Sequence, residues 1–301
     1  MSDEVPIYYV LYPSDREWCS NFVYEALRQH TGLNIHAVEL KDVMKCRGGI
    51  VHFENIQLIK RLSRFRSKAL VKKLREQNVA IVAGIRGDFG LDHKDRFKEL
   101  DALAVNVDPG LKEETQRLHK QVFEIPEGVD TFAFMPNRRE PDEFTVGWVG
   151  RDHKGFKNAD LLPRLGFEYR KATYNEYIPH EEMPEFYGSI TVLLNMSDHE
   201  GFCMPILEAA ALELPVVSSD VGVAREILDE DWIVKGSPRA HLDEYRDLLQ
   251  LLNDDPYLRR EVGRENRERA LGYDWEIVAK EYEKMWGKLR SMKRLELKPV
   301  L

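Results

Sequence analysis

The sequence has little cysteine and no long apolar run. Cys19, Cys46 and Cys203 are its only cysteines. Their odd number and wide separation argue against a disulfide framework, and their spacing matches no metal site. No stretch approaches the roughly 18 apolar residues of a membrane-spanning helix, and no basic region precedes the first apolar run, residues 7–11. We therefore expect a cytoplasmic protein without a signal peptide or a transmembrane segment.

Negative charge is in excess but unevenly distributed. The 301 residues contain 44 Lys and Arg against 52 Asp and Glu, a net charge of −8, and the acidic surplus lies in residues 141–301. Residues 60–75 differ, since they contain eight Lys or Arg and no acid. In a helix over residues 57–77, one face would carry Arg61, Arg64, Lys68, Lys72 and Arg75, beside an apolar stripe of Leu58, Leu62, Phe65 and Ala69. The pattern favours a core-packed helix with a solvated basic face, while contact with an anion stays open.

Apolar bursts of strand length alternate with amphipathic stretches of helix length along the chain. This alternation predicts an α/β protein with mostly parallel, doubly wound sheets. Residues 126–142 are rich in Pro, Asn, Arg and Glu and are the best linker candidate. We expect two tandem Rossmann-like domains, residues 1–140 and 141–274, with an interdomain cleft that binds ligands. A last helix in residues 275–301 would pack back on the first domain.

A loop that leads into a helix is the most informative segment. A predicted strand ends at Asn195, and Pro205 stands where the next helix would begin. Backbone N–H groups would then lie near a helix N-terminus, which favours anions, at Gly201, Phe202, Cys203 and Met204. Glu200 before the helix and Glu208 inside it offer acceptors for sugar and ribose hydroxyls. Taken alone, the two glutamates are better explained as a cap and a first-turn residue.

Four segments between residues 102 and 228 decide between these interpretations. Residues 200–217 read EGFCMPILEAAALELPVV, residues 125–136 read IPEGVDTFAFMP, and residues 146–151 read VGWVGR. Residues 219–227 supply a glycine turn with an acidic residue. The four segments resemble motifs of the family-4 type of retaining glycosyltransferases. In the order given, these motifs are EGFGLPxLEAMAxGxPVV, IPNGVDxxxFxP, GxVGR and a glycine turn. Enzymes of this family have the GT-B fold.

The resemblance implies a hexosyltransferase-like enzyme that moves a sugar from a nucleotide-diphosphate donor. It implies retention of anomeric configuration and no metal or other cofactor. We favour a UDP-sugar as the donor, but the sequence leaves the donor base and the donor sugar open. Glu200 would hydrogen-bond the sugar and support positive charge near the anomeric carbon, and Glu208 would bind the ribose hydroxyls. Arg151 and Lys157 follow a predicted strand over residues 144–149 that leads directly into Gly150, and they would neutralise the leaving diphosphate.

The chain departs from the family pattern in both halves. Lys154 competes with Lys157, because the loop that carries them is longer than usual. Glu213 and Val223 stand where the family has glycines; the first should affect only the helix end, and the second is expected to change the wall of the sugar pocket.

The N-terminal half lacks the family's glycine-rich loop after the first strand. Arg86, Asp88 and His52 are cleft candidates without an assigned role. We favour a structural role for His52, and a loop role rather than a catalytic one for His199, the neighbour of Glu200.

Two other functions stay open alongside sugar transfer. One is a GT-B sugar-nucleotide epimerase or phosphorylase, and the other is a catalytically silent module that binds a nucleotide sugar. The acceptor is unidentified. Through the basic helix it could be an anionic lipid, a glycan or a nucleic acid, and the first of these would place the protein peripherally at a membrane.

Overall fold

The protein is represented by a computed structural model that describes residues 5–11, 19–60, 64–86, 88–107, 109–136, 141–153, 155–173 and 175–293. The chain divides into two compact units. One comprises Met1–Gly128 together with Trp275–Leu301, and the other comprises Val129–Asp274. No helix within the described ranges has both the length and the apolar character needed to cross a membrane.

Strands and helices alternate along both units. The strands are β1 Ile7–Leu11, β2 Ile35–Glu39, β3 Ile50–Phe53, β4 Ala80–Ile85, β5 Ala102–Val105, β6 Val122–Glu124, β7 Thr145–Gly150, β8 Glu168–Thr173, β9 Val192–Asn195, β10 Val216–Ser219 and β11 Ile233–Val234. The α-helices are α1 Cys19–His30, α2 Gln57–Lys60, α3 Arg64–Glu76, α4 Pro109–Leu118, α5 Met183–Gly188, α6 Met204–Ala211, α7 Ala224–Ile227, α8 Leu242–Asp254, α9 Pro256–Ala270 and α10 Trp275–Lys293. Short 3₁₀ segments lie between them, the longest at Asp88–Glu99.

The described strands form two sheets in which every pairing is parallel. The first unit has the order β2-β1-β3-β4-β5-β6, and the second has β11-β10-β9-β7-β8. In β3, β4 and β5 every residue is buried, as expected for strands covered by helices on both faces. The predicted fold class, two parallel-sheet Rossmann-like units, is confirmed.

Each sheet has a hydrophobic core on either face. In β1, Tyr9 joins one core of the first unit while its neighbour Val10 joins the other, because successive strand residues point to opposite faces. Helix α10 supplies its buried side to the same core as Tyr9, including Tyr282 and Trp286. The last helix is therefore an integral part of the first unit's core.

The basic segment differs in detail from its prediction. The single helix expected over residues 57–77 consists of α2 and α3, and residues 61–63 between them, including Arg61 and Leu62, lie outside the described residues. The side chains of Arg64 and Phe65 are likewise not described.

The buried side of α3 consists of Ser67, Leu70, Val71 and Leu74, whereas Ala69 is exposed. The predicted apolar stripe is therefore wrong at Ala69, because Leu70 and Leu74, one helical turn apart, set the face that meets the sheet. Lys68, Lys72 and Arg75 are exposed as expected.

Helix α9 crosses close to the end of α6. A Cβ on Gly263 would lie 2.1 Å from the carbonyl oxygen of Glu213, so glycine is required there. Glu213 itself has a φ of 57°, in the left-handed region that costs a side-chain-bearing residue about 1–2 kcal/mol. Its carboxylate is 41% exposed and lies 3.9 Å from Arg267, a contact too loose to offset this cost.

We predict that Glu213→Gly stabilises the second unit by about 0.5–1 kcal/mol, because glycine relieves the left-handed backbone at a smaller entropic cost. Thermal unfolding followed by circular dichroism should show a Tm raised by about 1–3 °C. Glu213→Ala is the matched control, since it removes the same carboxylate but keeps the Cβ. Equal melting of the two variants would show that the backbone conformation at this position carries no strain.

Candidate functional site

The site predicted from the sequence begins where β9 ends. Ser197 Oγ lies 2.7 Å from Glu200 Oε1 and donates a hydrogen bond to it. The carbonyl of Ser197 in turn accepts from the hydroxyl of Ser219, at the end of β10, at 2.6 Å. Because β9 and β10 are parallel neighbours, these polar groups meet at the carboxyl edge of the second sheet. Glu200 is thus held at that edge by the end of its own strand.

The loop after β7 is docked on the loop after β9. Asn158 donates its side-chain amide to the carbonyl of Met196 at 2.9 Å, and the N–H of Asp198 donates to the carbonyl of Phe156 at 2.8 Å. The ring of Phe156 also stacks on His199, with ring centroids 4.3 Å apart. His199 is therefore a packing residue of the docked loop, in agreement with the role favoured from the sequence.

This docking brings Lys157 to Glu200. The Lys157 ammonium forms an ion pair and a hydrogen bond with Glu200 Oε1, and the two side chains are only 14% and 13% exposed. Gly150, at the end of β7, adjoins the lysine stem, since a Cβ there would lie 3.5 Å from Lys157 Cδ, an ordinary contact distance. Gly150, Lys157 and Glu200 therefore form one cluster. The competing Lys154 lies outside the described residues.

Arg151 directly follows β7 and is half-buried at the same edge of the sheet. Asp152, the next residue, lies 3.7 Å from Lys171 of β8. The two cations proposed for the diphosphate thus lie in one loop, with Arg151 at its start and Lys157 six residues later.

The turn before α6 has a constrained backbone. Helix α6 begins at Met204, with Pro205 in its first turn and Cys203 as the capping residue at a φ of 69°. The Cys203 side chain is buried, and burial raises the pKa of its thiol well above the ordinary value, so it packs as a neutral group. The predicted start at Pro205 is one residue late, because proline is favoured throughout the first turn, where backbone N–H groups lack helical partners.

The glycine turn after β10 closes on this segment. Gly222 has a φ of 54°, and a Cβ there would lie 2.3 Å from the carbonyl oxygen of Phe202. The same carbonyl accepts the N–H of Val223 at 2.8 Å. The Val223 side chain is fully buried in the core with Phe202 and α6. The expectation that Val223 changes a pocket wall is therefore wrong, since its side chain faces the core.

Glu208 lies one turn into α6 and is buried, with 5% of its surface exposed. Its Oε1 accepts a hydrogen bond from His180 Nε2 at 2.9 Å, and its Oε2 accepts one from the hydroxyl of Tyr187 at 2.7 Å. Sequence reasoning missed both partners. They lie in the segment before β9, and no spacing in the sequence links them to Glu208.

The carboxylate of Glu208 changes the titration of both partners. Burial alone would lower the pKa of His180, but the hydrogen bond to Glu208 and the negative charges of Glu208, Glu181 and Asp130 outweigh it and raise this pKa above its ordinary value. Burial, and then Glu208, raise the pKa of Tyr187 well above its ordinary value. The buried carboxylate of Glu208 thus accepts hydrogen bonds from an imidazole that is readily protonated and from a phenol that stays neutral.

Two candidates of the first unit, Arg86 and His52, lie in its interior. Arg86, after β4, donates from Nε to Glu54 at 3.0 Å and from Nη2 to the hydroxyl of Tyr282 at 3.1 Å, and its side chain is 8% exposed. His52 is fully buried and accepts from Trp286 Nε1 at 3.2 Å. Burial, and then the charge of Arg86, lower the pKa of His52 well below its ordinary value. These contacts agree with a structural His52, and the Asp88 side chain lies outside the described residues.

No cluster of three or more His, Cys, Asp or Glu side chains suited to a metal ion occurs in the described part of the chain.

Comparison with protein families and curated proteins gives a consistent result. The family model described as glycosyl transferases group 1 matches residues 126–251. D-inositol 3-phosphate glycosyltransferase of Arthrobacter sp. (strain FB24) is 29% identical over 156 residues, which cover 50% of this chain and 36% of that protein. A phosphatidylinositol N-acetylglucosaminyltransferase subunit from Arabidopsis thaliana is 32% identical over 196 residues, which cover 54% of this chain and 43% of that protein. The chain thus spans less than half the length of these curated relatives.

Solved structures resemble the chain over nearly its whole length. Sucrose-phosphate synthase from Thermosynechococcus elongatus matches with a TM-score of 0.73 at 16% identity, covering 95% of this chain and 99% of that one. HepE from Anabaena, in complex with UDP and glucose, matches with a TM-score of 0.73 at 10% identity, covering 94% and 100%. At such identities the likeness establishes the fold. The predicted resemblance is confirmed: residues 126–251 match the family model described as glycosyl transferases group 1, and the chain has the GT-B fold.

Proposed function

We propose that the protein transfers a sugar from a nucleotide-diphosphate sugar to an acceptor, and that its second unit holds the donor. The observation that carries this proposal is the cluster of Gly150, Lys157 and Glu200 at the carboxyl edge of the second sheet. Sugar transfer needs an anion near an anomeric carbon that gains positive charge, and a cation near the leaving diphosphate. The cluster supplies both, beside a strand end that carries no side chain.

We propose that the nucleotide is held through its ribose by Glu208. A carboxylate offers roughly four lone-pair sites, and His180 and Tyr187 use one on each oxygen. Two acceptor sites remain, which suits a vicinal diol. Solved structures with this fold include HepE with UDP and glucose and the pneumococcal O-GlcNAc transferase GtfA with UDP and GlcNAc, which supports a UDP-hexose as the favoured donor.

The diphosphate would lie between the loop after β7 and the turn before α6. Arg151 offers a planar fork for phosphate oxygens and Lys157 a point charge. Backbone N–H groups of residues 201–204, at the N-terminus of α6, would add dipoles of the same sign. These groups would stabilise the negative charge that develops on the departing diphosphate, a task that a divalent ion can perform in other enzymes. We therefore expect transfer to proceed without added metal.

The ion pair of Lys157 with Glu200 gives the donor a way to activate the site. A diphosphate that binds Lys157 competes with Glu200 for the ammonium, and the freed carboxylate then faces the sugar. In the transfer step the bond from the anomeric carbon to the phosphate oxygen breaks, and the acceptor hydroxyl oxygen bonds to that carbon. The hydroxyl proton passes to the departing phosphate oxygen. Attack from the face that the phosphate leaves would retain the anomeric configuration.

We propose that the acceptor carries a phosphate group. The exposed bases Lys68, Lys72 and Arg75 on α3 form a basic face in the first unit. Two relatives are named for D-inositol 3-phosphate and for phosphatidylinositol, both phosphate-bearing molecules. A lipid acceptor would place the protein on the cytoplasmic face of a membrane through this basic surface.

We expect one nucleotide diphosphate among UDP, GDP and ADP to raise the thermal stability of the protein without added metal. A ligand that binds only the folded state stabilises it by about 2–3 kcal/mol when present at a hundredfold excess over its Kd. Arg151→Ala should abolish most of this shift, whereas Arg239→Ala, which removes an exposed arginine paired with Asp160, should keep it. A shift that is unchanged in Arg151→Ala would contradict the assignment of the diphosphate site.

We further expect the two glutamates to separate binding from turnover. Glu200→Gln should lower donor hydrolysis, measured as release of nucleotide with water as acceptor, by about 100- to 1,000-fold, with little change in Kd. Glu208→Asp keeps the charge but withdraws the carboxylate, and should weaken nucleotide binding by about 10- to 100-fold, the cost of charge-assisted hydrogen bonds. Wild-type hydrolysis and binding in both variants would mean that the glutamates serve only the fold.

The acceptor proposal predicts binding to anionic vesicles that depends on α3. The wild type should sediment with vesicles that contain phosphatidylinositol, and added salt should release it. Lys68→Glu with Lys72→Glu should weaken this binding at least tenfold, since each basic residue near such a surface contributes about 1 kcal/mol. The control is Lys280→Glu with Lys284→Glu, an exposed pair of the same spacing on α10. Equal loss in both double variants would refute a specific role for α3.

A further inference from the structure

His180 occupies a position that the proposed transfer mechanism does not use. It is the first residue of the 3₁₀ turn His180–Glu182, and its side chain is 28% exposed while that of Glu208 is 7% exposed. Its Nε2 lies 2.9 Å from Glu208 Oε1, and its ring lies against Phe134, with ring centroids 5.4 Å apart. The imidazole thus stands between a buried carboxylate and the solvent.

The charged groups that face His180 are mainly acidic. Glu208 comes from α6, Glu181 from the same turn, and Asp130 from the segment that also carries Phe134. From α5, Tyr187 faces the other oxygen of Glu208 as a neutral phenol. From α9, Arg267 is directed to backbone carbonyls, those of Phe134 and Ala211. A proton on His180 would therefore enter an environment of negative charge.

We propose that His180 is a positioning residue of the donor site, which holds Glu208 for the ribose and, in its protonated form, offsets the carboxylate charge so that an anionic nucleotide binds there more tightly. The inference rests on the proposed function, because it assumes that Glu208 binds the ribose of a donor.

Two physical arguments support this role. The hydrogen bond from Nε2 occupies one side of Oε1, and so orients the carboxylate and leaves its remaining lone pairs for a diol. In addition, a buried carboxylate repels a nearby diphosphate, and an imidazolium at hydrogen-bond distance reduces that repulsion. The pKa of His180 is raised above its ordinary value of 6.5, so the protonated form persists to higher pH than for a solvated histidine.

The sign of the pH dependence follows. Below this raised pKa, His180 is charged and nucleotide binding is strongest. As the pH rises through it, the proton is lost, the neutral ring keeps its hydrogen bond, and the full charge of Glu208 opposes the diphosphate. We expect the Kd of the nucleotide to rise about three- to tenfold across this transition. This is the effect expected when one unit charge, several Å from the diphosphate in a partly solvated site, is lost.

The test compares wild type, His180→Gln and His180→Ala by calorimetric titration between pH 6 and 9. The probe is UDP-glucose, or its GDP or ADP counterpart if the thermal panel selects another base, because its diphosphate diester does not titrate in this range. Glutamine can donate from a position close to Nε2 but carries no charge. His180→Gln should bind as the wild type does at high pH and lose the tightening at low pH. His180→Ala should bind more weakly throughout.

An independent measurement follows the imidazole of His180 by nuclear magnetic resonance without nucleotide. Its pKa should fall in Glu208→Gln, which removes the charge of its partner. A pH dependence of nucleotide binding that is the same in His180→Gln as in the wild type, or wild-type affinity in His180→Ala, would overturn the role of His180 while leaving the donor site in place. Failure of the wild type to bind any nucleotide sugar at any pH would instead remove the donor site, and this inference with it.

Discussion

Parallel pairing throughout each sheet means that all strands of a sheet end at the same edge, and the arrangement of polar residues follows from this. In the second unit the residues that follow β7, β9 and β10 meet there, which is why Lys157 reaches Glu200 although 43 positions separate them. The two loops that carry these polar side chains are joined by hydrogen bonds. The edge therefore places opposite charges within contact distance, in partly buried surroundings where their interaction is strong.

The same constraint has a different outcome in the first unit. Glu54, Arg86 and Asn106 directly follow β3, β4 and β5, and the guanidinium binds both of the other side chains. Helix α10 covers this cluster, and Tyr282 adds a further hydrogen bond to Arg86. A buried arginine is tolerated only when its donors are satisfied. The cluster therefore ties the last helix to the first sheet, and these polar residues serve the interior of the unit.

Helix α6 carries both a tightly packed alanine segment and the carboxylate proposed to bind the nucleotide. Three consecutive alanines, residues 209–211, are fully buried, so the helix lies close to its neighbours. Glu208 immediately precedes them and is drawn into the same interior, where a carboxylate needs donors. His180 and Tyr187 supply these donors, and they also decide which lone pairs of Glu208 remain for a ligand. The nucleotide chemistry proposed for Glu208 is thus set by residues outside its own motif.

The sequence by itself determined the α/β class, the alternation of strands and helices, and the resemblance to glycosyl transferases group 1 over residues 126–251. Hydrophobic periodicity and the motif at residues 200–217 are local signals that do not depend on long-range contacts. Tertiary structure alone decided that Lys157 pairs with Glu200, that Val223 faces the core, and which face of α3 is buried. It also decided the partners of Glu208. Contacts between segments distant in the chain depend on which strand ends and loops meet in space, and one chain carries no local signal for that.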